Sequence, residues 1–310
     1  MLDAILLIGF GGPTRREEIR PFLDNVLRGR PIPKERYEEV VHHYEVMGGR
    51  SPYNEHTMRQ ADALRARLRL DRIDIPVVVG MRNWDPYLIE TMRELASEIS
   101  VHRLKPVPQI LGFILAAHRC EASWERYQSA VEDARAKIGA DAPLVEYPEP
   151  WHAHPKFIEA VAERTSEAFA RLDQSEAKRA ELIFTAHSVP VPMANASGYV
   201  DQIRESATAV ASRLGRDSYT LAFQSRSGAP RDPWLEPDIC AVIRKLDGRP
   251  AVVVPIGFLC DHIEVLYDLD VEAAKVAREN GGKMVRAGTV ADHPAFIEMM
   301  TSIVRRHLER

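Results

Sequence analysis

Short apolar runs alternate with longer amphipathic stretches along the whole chain. Eight of the runs, 4–9, 75–80, 109–116, 144–147, 182–186, 219–223, 251–256 and 283–287, read as strands. Helical stretches follow most of them, at 86–97, 124–136, 155–172, 200–214, 236–246 and 293–308. This alternation predicts an α/β fold on parallel sheet, because a parallel neighbour needs a long crossover connection.

The two halves echo each other. Ile5-Leu6-Leu7-Ile8-Gly9-Phe10-Gly11-Gly12-Pro13 parallels Ile183-Phe184-Thr185-Ala186-His187-Ser188-Val189-Pro190. Gly80-Met81-Arg82 parallels Gln224-Ser225-Arg226, and Gly112-Phe113-Ile114-Leu115-Ala116-Ala117-His118 parallels Gly257-Phe258-Leu259-Cys260-Asp261-His262. Two pseudo-symmetric lobes are therefore expected, each a parallel sheet flanked by helices, with an active-site cleft between them. Measured between matching motifs, the first half is longer just after its first strand, which marks 15–51 as an insertion rich in Arg, Tyr and Pro. Long connections in compact α/β domains tend to be functional, so this segment reads as a lip over the first lobe. The lobes are expected at 1–148 and 149–310, with the C-terminal helix able to pack back on the first.

Composition narrows the function. A 310-residue chain with 45% hydrophobic and 28% charged residues fits a globular protein with a large core. The net charge is −4 and no basic tail or cluster is present, which argues against a nucleic-acid partner. The start, Met1-Leu2-Asp3, lacks the order of a signal peptide, and the longest apolar run, 109–117, falls short of the roughly 20 residues needed to cross a bilayer. Cys120, Cys240 and Cys260 are odd in number and widely spaced. That argues against a disulfide framework and an iron–sulfur cluster, and points to the reducing cytoplasm. Gly9, Gly11 and Gly12 lack the G-x-G-x-x-G spacing of a dinucleotide loop, and no organic cofactor is expected.

The chemistry concentrates after the run 251–256. Glu264, Asp268 and Glu272 follow at four-residue steps. On an α-helix each step advances about 40°, giving a slowly drifting carboxylate ladder on one face. Like charges so placed repel, which suggests that a cation is expected there. His187 ends another apolar strand. An imidazole facing such a ladder suits a divalent transition metal and can take protons from its partner ligand. Taken singly, each residue has a plainer reading: a strand-end histidine as a hydrogen-bonding group, Glu272 as a solvated helix face, His118 as loop structure or cleft lining.

Thr185-Ala186-His187-Ser188-Val189-Pro190, Asp232-Pro233-Trp234-Leu235 and the run from Pro255 through Gly257-Phe258-Leu259-Cys260-Asp261-His262-Ile263-Glu264 to Asp268 resemble ferrochelatase signatures. So do Phe10-Gly11-Gly12-Pro13 and Gly48-Gly49-Arg50-Ser51-Pro52, and the match follows the family's order over almost the whole chain. The resemblance implies two Rossmann-like lobes and insertion of Fe(II), the substrate metal, into a porphyrin. His187 and Glu264 would be the central catalytic pair, with Asp268 and Glu272 continuing an acidic metal track. The compact length resembles actinobacterial members associated with coproporphyrin III. Carried over by position, the porphyrin contacts would be Phe10, Leu27 or its neighbour Arg28, Arg30, His43, Tyr44, Ser51 and Tyr127. Phe10 stands where some members have an iron-ligating Tyr, and Leu27 and His43 each stand where members have an Arg. Candidate aromatic and apolar walls for bending the ring are Phe10, Met81, Trp84, Trp234 and Phe258. A cytoplasmic monomer is expected. Rival readings are a protoporphyrin IX ferrochelatase, a cobalt or nickel chelatase, and a non-catalytic tetrapyrrole carrier.

Overall fold

All eight apolar runs form strands: β1 Ala4–Gly9, β2 Val77–Met81, β3 Gln109–Ile114, β4 Leu144–Glu146, β5 Glu181–His187, β6 Thr220–Gln224, β7 Ala251–Val254 and β8 Met284–Arg286. The computed structural model describes residues 2–30, 32–102, 107–227 and 232–309. The strands build two four-stranded sheets, ordered β2-β1-β3-β4 and β6-β5-β7-β8, with every pairing parallel. The order is the same in both, so the echo in the sequence is one topology used twice. Each central strand is paired on both sides: Ile5 faces Val77 and Leu111, and Ile183 faces Thr220 and Val253. β1 and β7 are buried along their whole length, as strands covered by helices on both faces must be.

The chain divides into two compact units. The first comprises Met1–Leu115, Ala122–Glu149 and Ile297–Arg310; the second comprises Ala116–Glu121 and Pro150–Phe296. In the first unit, the C-terminal helix Pro294–Leu308 is tied to the helix Tyr53–Leu70 by charge pairs. Arg67 Nε meets Glu298 Oε2 at 2.7 Å, Arg67 Nη1 meets Asp71 Oδ1 at 2.8 Å, and Arg305 pairs with Asp71. The insertion 15–51 is largely helical, with a 3₁₀ turn Arg16–Glu18 and helices Ile19–Leu27 and Lys34–Val46.

One element departs from the sequence reading. A single α-helix was expected through Glu264, Asp268 and Glu272. The structure instead has an α-helical turn Ile263–Val265, a π-helix Leu266–Ala273 and an α-helix Ala274–Glu279. The N–H of Ala274 reaches back five residues to the Leu269 carbonyl, the signature of the wider turn. The reason lies on the buried side. Val265, Leu269, Ala273 and Ala277 all face the core formed with Ile183, Ile243 and Val253. Their period is four, longer than an α-turn and shorter than a π-turn. A helix that passes from α to π and back keeps this stripe on the core. The carboxylates share the period, so the ladder drifts less than an α-helix would impose.

Candidate active site

The second unit assembles its polar cluster at the C-terminal ends of β5, β6 and β7. His187 is the last residue of β5. Its Nδ1 lies 2.5 Å from the Ser188 carbonyl. A carbonyl can only accept, so Nδ1 carries the hydrogen and Nε2 is the working nitrogen. Nε2 stands 3.6 Å from Glu264 Oε2, with side chains 30% and 45% exposed, respectively. The strand tip is itself held. Ser188 N–H donates to the Gln224 carbonyl at 2.7 Å, and Ser188 Oγ donates to the Leu235 carbonyl at 2.9 Å. The buried Tyr199 hydroxyl donates to the His187 carbonyl at 3.4 Å.

Gly257 brings the second partner close. Its N–H donates to the Thr185 carbonyl at 3.0 Å. A Cβ here would lie 2.6 Å from Ala186 Cβ and 2.7 Å from Ala186 Cα, so the loop after β7 can rest on β5 only with glycine. Two residues then fix the backbone of Glu264. His262 caps the helix, its Nδ1 accepting the Glu264 N–H at 3.2 Å, and the buried Gln224 donates from Nε2 to the Glu264 carbonyl at 3.0 Å. The Phe258 ring packs 5.0 Å from His262 and 6.4 Å from His187, centroid to centroid.

Farther along, Ser225 Oγ donates a short hydrogen bond to Asp268 Oδ2. Ser225 has φ 62°, a left-handed conformation that is strained for a side-chain-bearing residue. Arg286 clamps both ends of this region. It binds Asp261 through Nη1 and Nη2 at 3.0 and 3.1 Å, and Asp270 through Nε and Nη2 at 2.7 and 2.9 Å. Thr289 Oγ1 adds a hydrogen bond to Asp261 Oδ1 at 3.0 Å. Two fork-to-carboxylate pairs on one mostly buried guanidinium hold the loop before Glu264 and the π-helix after it as one piece.

Electrostatics divide the cluster. Burial opposes a charged His187, but the Glu264 carboxylate, the Ser188 carbonyl and Asp268 outweigh it and raise the imidazole to about 9. Burial and the charges of Glu264 and Glu272 push Asp268 up to about 7, against the hydrogen bond from Ser225 and the pull of His187. His262 is lowered, chiefly by burial, which suits its role as a neutral cap. A charged imidazole beside a carboxyl poised near neutrality can take part in proton transfer, and the carboxylates can also meet a cation. Among the described residues no three His, Cys, Asp or Glu side chains converge as a closed metal cage. His187, Glu264, Asp268 and Glu272 thus do not form one coordination shell, and the carboxylates stand in series. Cys240 lies under the electrostatic influence of Asp268 and Glu272, but burial pushes its thiol up to about 12, away from thiolate chemistry.

The remaining candidates lie in the first unit. Phe10, Phe22, Tyr44 and Trp84 form an aromatic cluster, with Phe22 edge-on to the other three at 6.0–6.2 Å. The Phe10 carbonyl accepts from Asn83 N and Nδ2 at 3.0 and 3.1 Å. Ser51 is buried against Gly12, and its Oγ accepts the Tyr53 N–H at 3.3 Å. His43 lies 4.0 Å from Glu39. Arg28 closes the helix Ile19–Leu27 in a left-handed conformation, φ 49°, and Arg30 Nε donates to the Leu27 carbonyl at 3.3 Å. Tyr127 is buried under the Arg82 guanidinium. Met81, expected at the ring wall, is instead fully buried, its sulfur filling the space above Gly9, because this last residue of β2 points into the core. His118 belongs to the second unit and is also interior. Its Nε2 meets Ser206 Oγ at 3.0 Å, and burial pushes it down to about 3, so it stays neutral. Ser225, Gln224, Gly257 and Arg286 were not singled out as site residues from sequence. The internal echo pairing Gln224-Ser225-Arg226 with Gly80-Met81-Arg82 was the one signal that pointed toward that strand end.

Comparisons with known proteins identify the family. The ferrochelatase family profile matches residues 2–308. A ferrochelatase of Rhodopirellula baltica is 41% identical over 310 residues, covering 99% of this chain and 86% of that protein. A coproporphyrin III ferrochelatase of Nocardia farcinica is 39% identical over 319 residues, covering 99% of this chain and 89% of that protein. The fold is similar to a sirohydrochlorin chelatase of Bacillus subtilis subspecies spizizenii solved with cobalt, at TM-score 0.57 and 12% identity over 100% of this chain and 96% of that one. Identity that low speaks for shared architecture alone. A profile spanning almost the whole chain, and relatives this similar over most of their length, concern the entire protein rather than one lobe: it belongs to the ferrochelatase family.

Proposed function

We propose that the protein inserts Fe(II) into coproporphyrin III, giving coproheme. The observation that carries this reading is the apposition of His187 Nε2 and Glu264 Oε2 at 3.6 Å, under the charge of Asp268 and followed by Glu272 at the same four-residue step. Metalation removes two pyrrole protons and strips Fe(II) of water. Asp268 and Glu272 pass partly aquated Fe(II), since oxygen donors tolerate water in the shell. With no cation present, the neighbouring carboxylates hold a proton on His187. As Fe(II) approaches Glu264 and Asp268, its charge offsets theirs and that hold weakens. His187 gives that proton to solvent, after which Nε2 accepts one pyrrole proton and Glu264 accepts the other, and both then leave to solvent. Fe(II) takes the place of the two protons on the pyrrole nitrogens, so charge balances.

Two features bear on the porphyrin. The Nocardia farcinica relative is a coproporphyrin III ferrochelatase, and Arg28 and Arg30 offer guanidinium partners for its four carboxylates. Leu27 and His43, where the resemblance places arginines, favour protoporphyrin IX, with two carboxylates, as the second reading. The reaction needs no organic cofactor. Among the described residues no helix is long and apolar enough to cross a membrane. Cys120, Cys240 and Cys260 are free thiols, and a cytoplasmic monomer stays part of the proposal. Anaerobic metalation of each porphyrin by Fe(II) tests the reading. A higher kcat/KM with coproporphyrin III is expected; equal values would remove that substrate assignment, and no insertion into either would remove the reaction.

A further inference from the structure

We infer that Arg286 is a positioning residue for the metal: its guanidinium plugs an oxygen cage beside the carboxylate series and so confines Fe(II) to Glu264, Asp268 and Glu272. The identity of the metal rests on the proposed reaction, and the cage and its plug rest on geometry. The stretch 261–272 carries five carboxylates, Asp261, Glu264, Asp268, Asp270 and Glu272. Three of them share the four-residue step. Asp270 lies two residues from both Asp268 and Glu272, roughly half a turn round the helix, and Asp261 precedes the helix. These two, the ones out of step, are the ones that meet Arg286.

Five oxygens surround the guanidinium. Nε donates to Asp270 Oδ1 at 2.7 Å, and Nη2 donates to Asp270 Oδ2 at 2.9 Å and to Asp261 Oδ2 at 3.1 Å. Nη1 donates to Asp261 Oδ1 at 3.0 Å and to the Ala287 carbonyl at 3.2 Å. Carboxylates and a carbonyl are the donors that hard divalent cations take. Here the cation is part of the chain. Arg286 ends β8, and the next N–H, that of Ala287, donates to the Val253 carbonyl at 2.8 Å, so the plug is mounted on the sheet. Burial opposes its charge, but the hydrogen bonds and charges of Asp270 and Asp261 outweigh burial and tighten its hold on the proton. The acidic charges acting most on His187 and Asp268 come from the series itself rather than from the plugged pair. An unplugged cage would draw a dication, and a dication there would repel one on the series two residues away.

Mn²⁺ is the probe, an oxygen-preferring dication whose free form is counted by electron paramagnetic resonance. Arg286→Met should bind one Mn²⁺ more than the native protein, with no porphyrin present. In the same variant, Mn²⁺ should inhibit Fe(II) insertion at a concentration about tenfold lower than in the native protein. Arg286→Lys keeps a charge in the cage and should retain the native count. Adding Asp270→Asn to Arg286→Met removes half of the cage. It should abolish both the extra site and the extra inhibition, although the tie to the helix stays lost; a merely structural Arg286 predicts no such rescue. Arg286→Gln keeps one amide donor and should show the same extra site, which leaves the test decisive if the Met variant folds poorly. An unchanged Mn²⁺ count in both neutral variants would overturn the inference. So would an extra site that leaves the inhibition unchanged, because the cage would then not compete with the series. An extra site in a protein that metalates no porphyrin would sink the proposed reaction and leave the cage standing.

Discussion

Replacing Asp268 by Asn should stabilise the protein at alkaline pH while harming its handling of iron. Burial and the neighbouring Glu264 and Glu272 hold Asp268 at about 7, against an ordinary 3.8. The folded protein therefore binds this proton more tightly than the unfolded chain does. Stability from this site is greatest below about pH 4, falls as pH rises, and is fully lost above about pH 7. At roughly 1.4 kcal/mol per pH unit, the gap corresponds to a penalty of about 4 kcal/mol at pH 8. Asn is neutral throughout and can still accept the hydrogen bond from Ser225 Oγ. Asp268→Asn should therefore raise the thermal midpoint at pH 8 by at least about 4 °C. The gain should shrink to roughly a third at pH 5, where the native carboxyl is already protonated. Thermal unfolding of both proteins between pH 5 and 8, followed by circular dichroism, reads the effect. The same variant should show a raised apparent KM for Fe(II), the functional cost of removing a strained charge. No gain at pH 8, or a gain independent of pH, would refute the reasoning.

Other expectations follow from the same geometry. His187→Ala should lower metal insertion by about 10²–10⁴-fold with porphyrin binding retained, and turnover within threefold of the native protein would remove His187 as the base. Glu264→Gln should be nearly as damaging, whereas Glu272→Gln should mainly raise the apparent KM for Fe(II), so a loss at saturating iron with unchanged KM counts against the series. Arg286→Met leaves the partly buried Asp261 and the exposed Asp270 without their shared cation, and chemical denaturation should show a loss of about 1–3 kcal/mol, with Arg286→Lys milder because it keeps the charge and lacks only the fork. Gly257→Ala must push the loop off Ala186; it should cost about 1–3 kcal/mol by the same measurement and lower kcat more than it alters porphyrin affinity.

Apolar patterning determined the strands and their parallel order, because a strand buried on both faces must be apolar whatever surrounds it. The repeat of motifs between halves determined that one topology is used twice. His187 and Glu264 were readable because strand ends and the residues just after them are local features. The form of the helix beyond Glu264 was written in the sequence but needed the core to interpret. The acidic residues repeat every four positions, and so do Val265, Leu269, Ala273 and Ala277, a period that belongs to neither an α- nor a π-helix alone. Only packing against Ile183 and Val253 decides that the apolar stripe must stay straight, and the carboxylates follow it. The partners of the site residues came from tertiary structure alone. Ser225 meets Asp268 across 43 positions, and Arg286 joins Asp261 and Asp270 across 25 and 16. Met81 shows the converse, a ring-wall candidate that the fold buries against Gly9. Such pairings depend on sheet register and on where glycine lets two backbones touch, and neither is a property of a single stretch of chain.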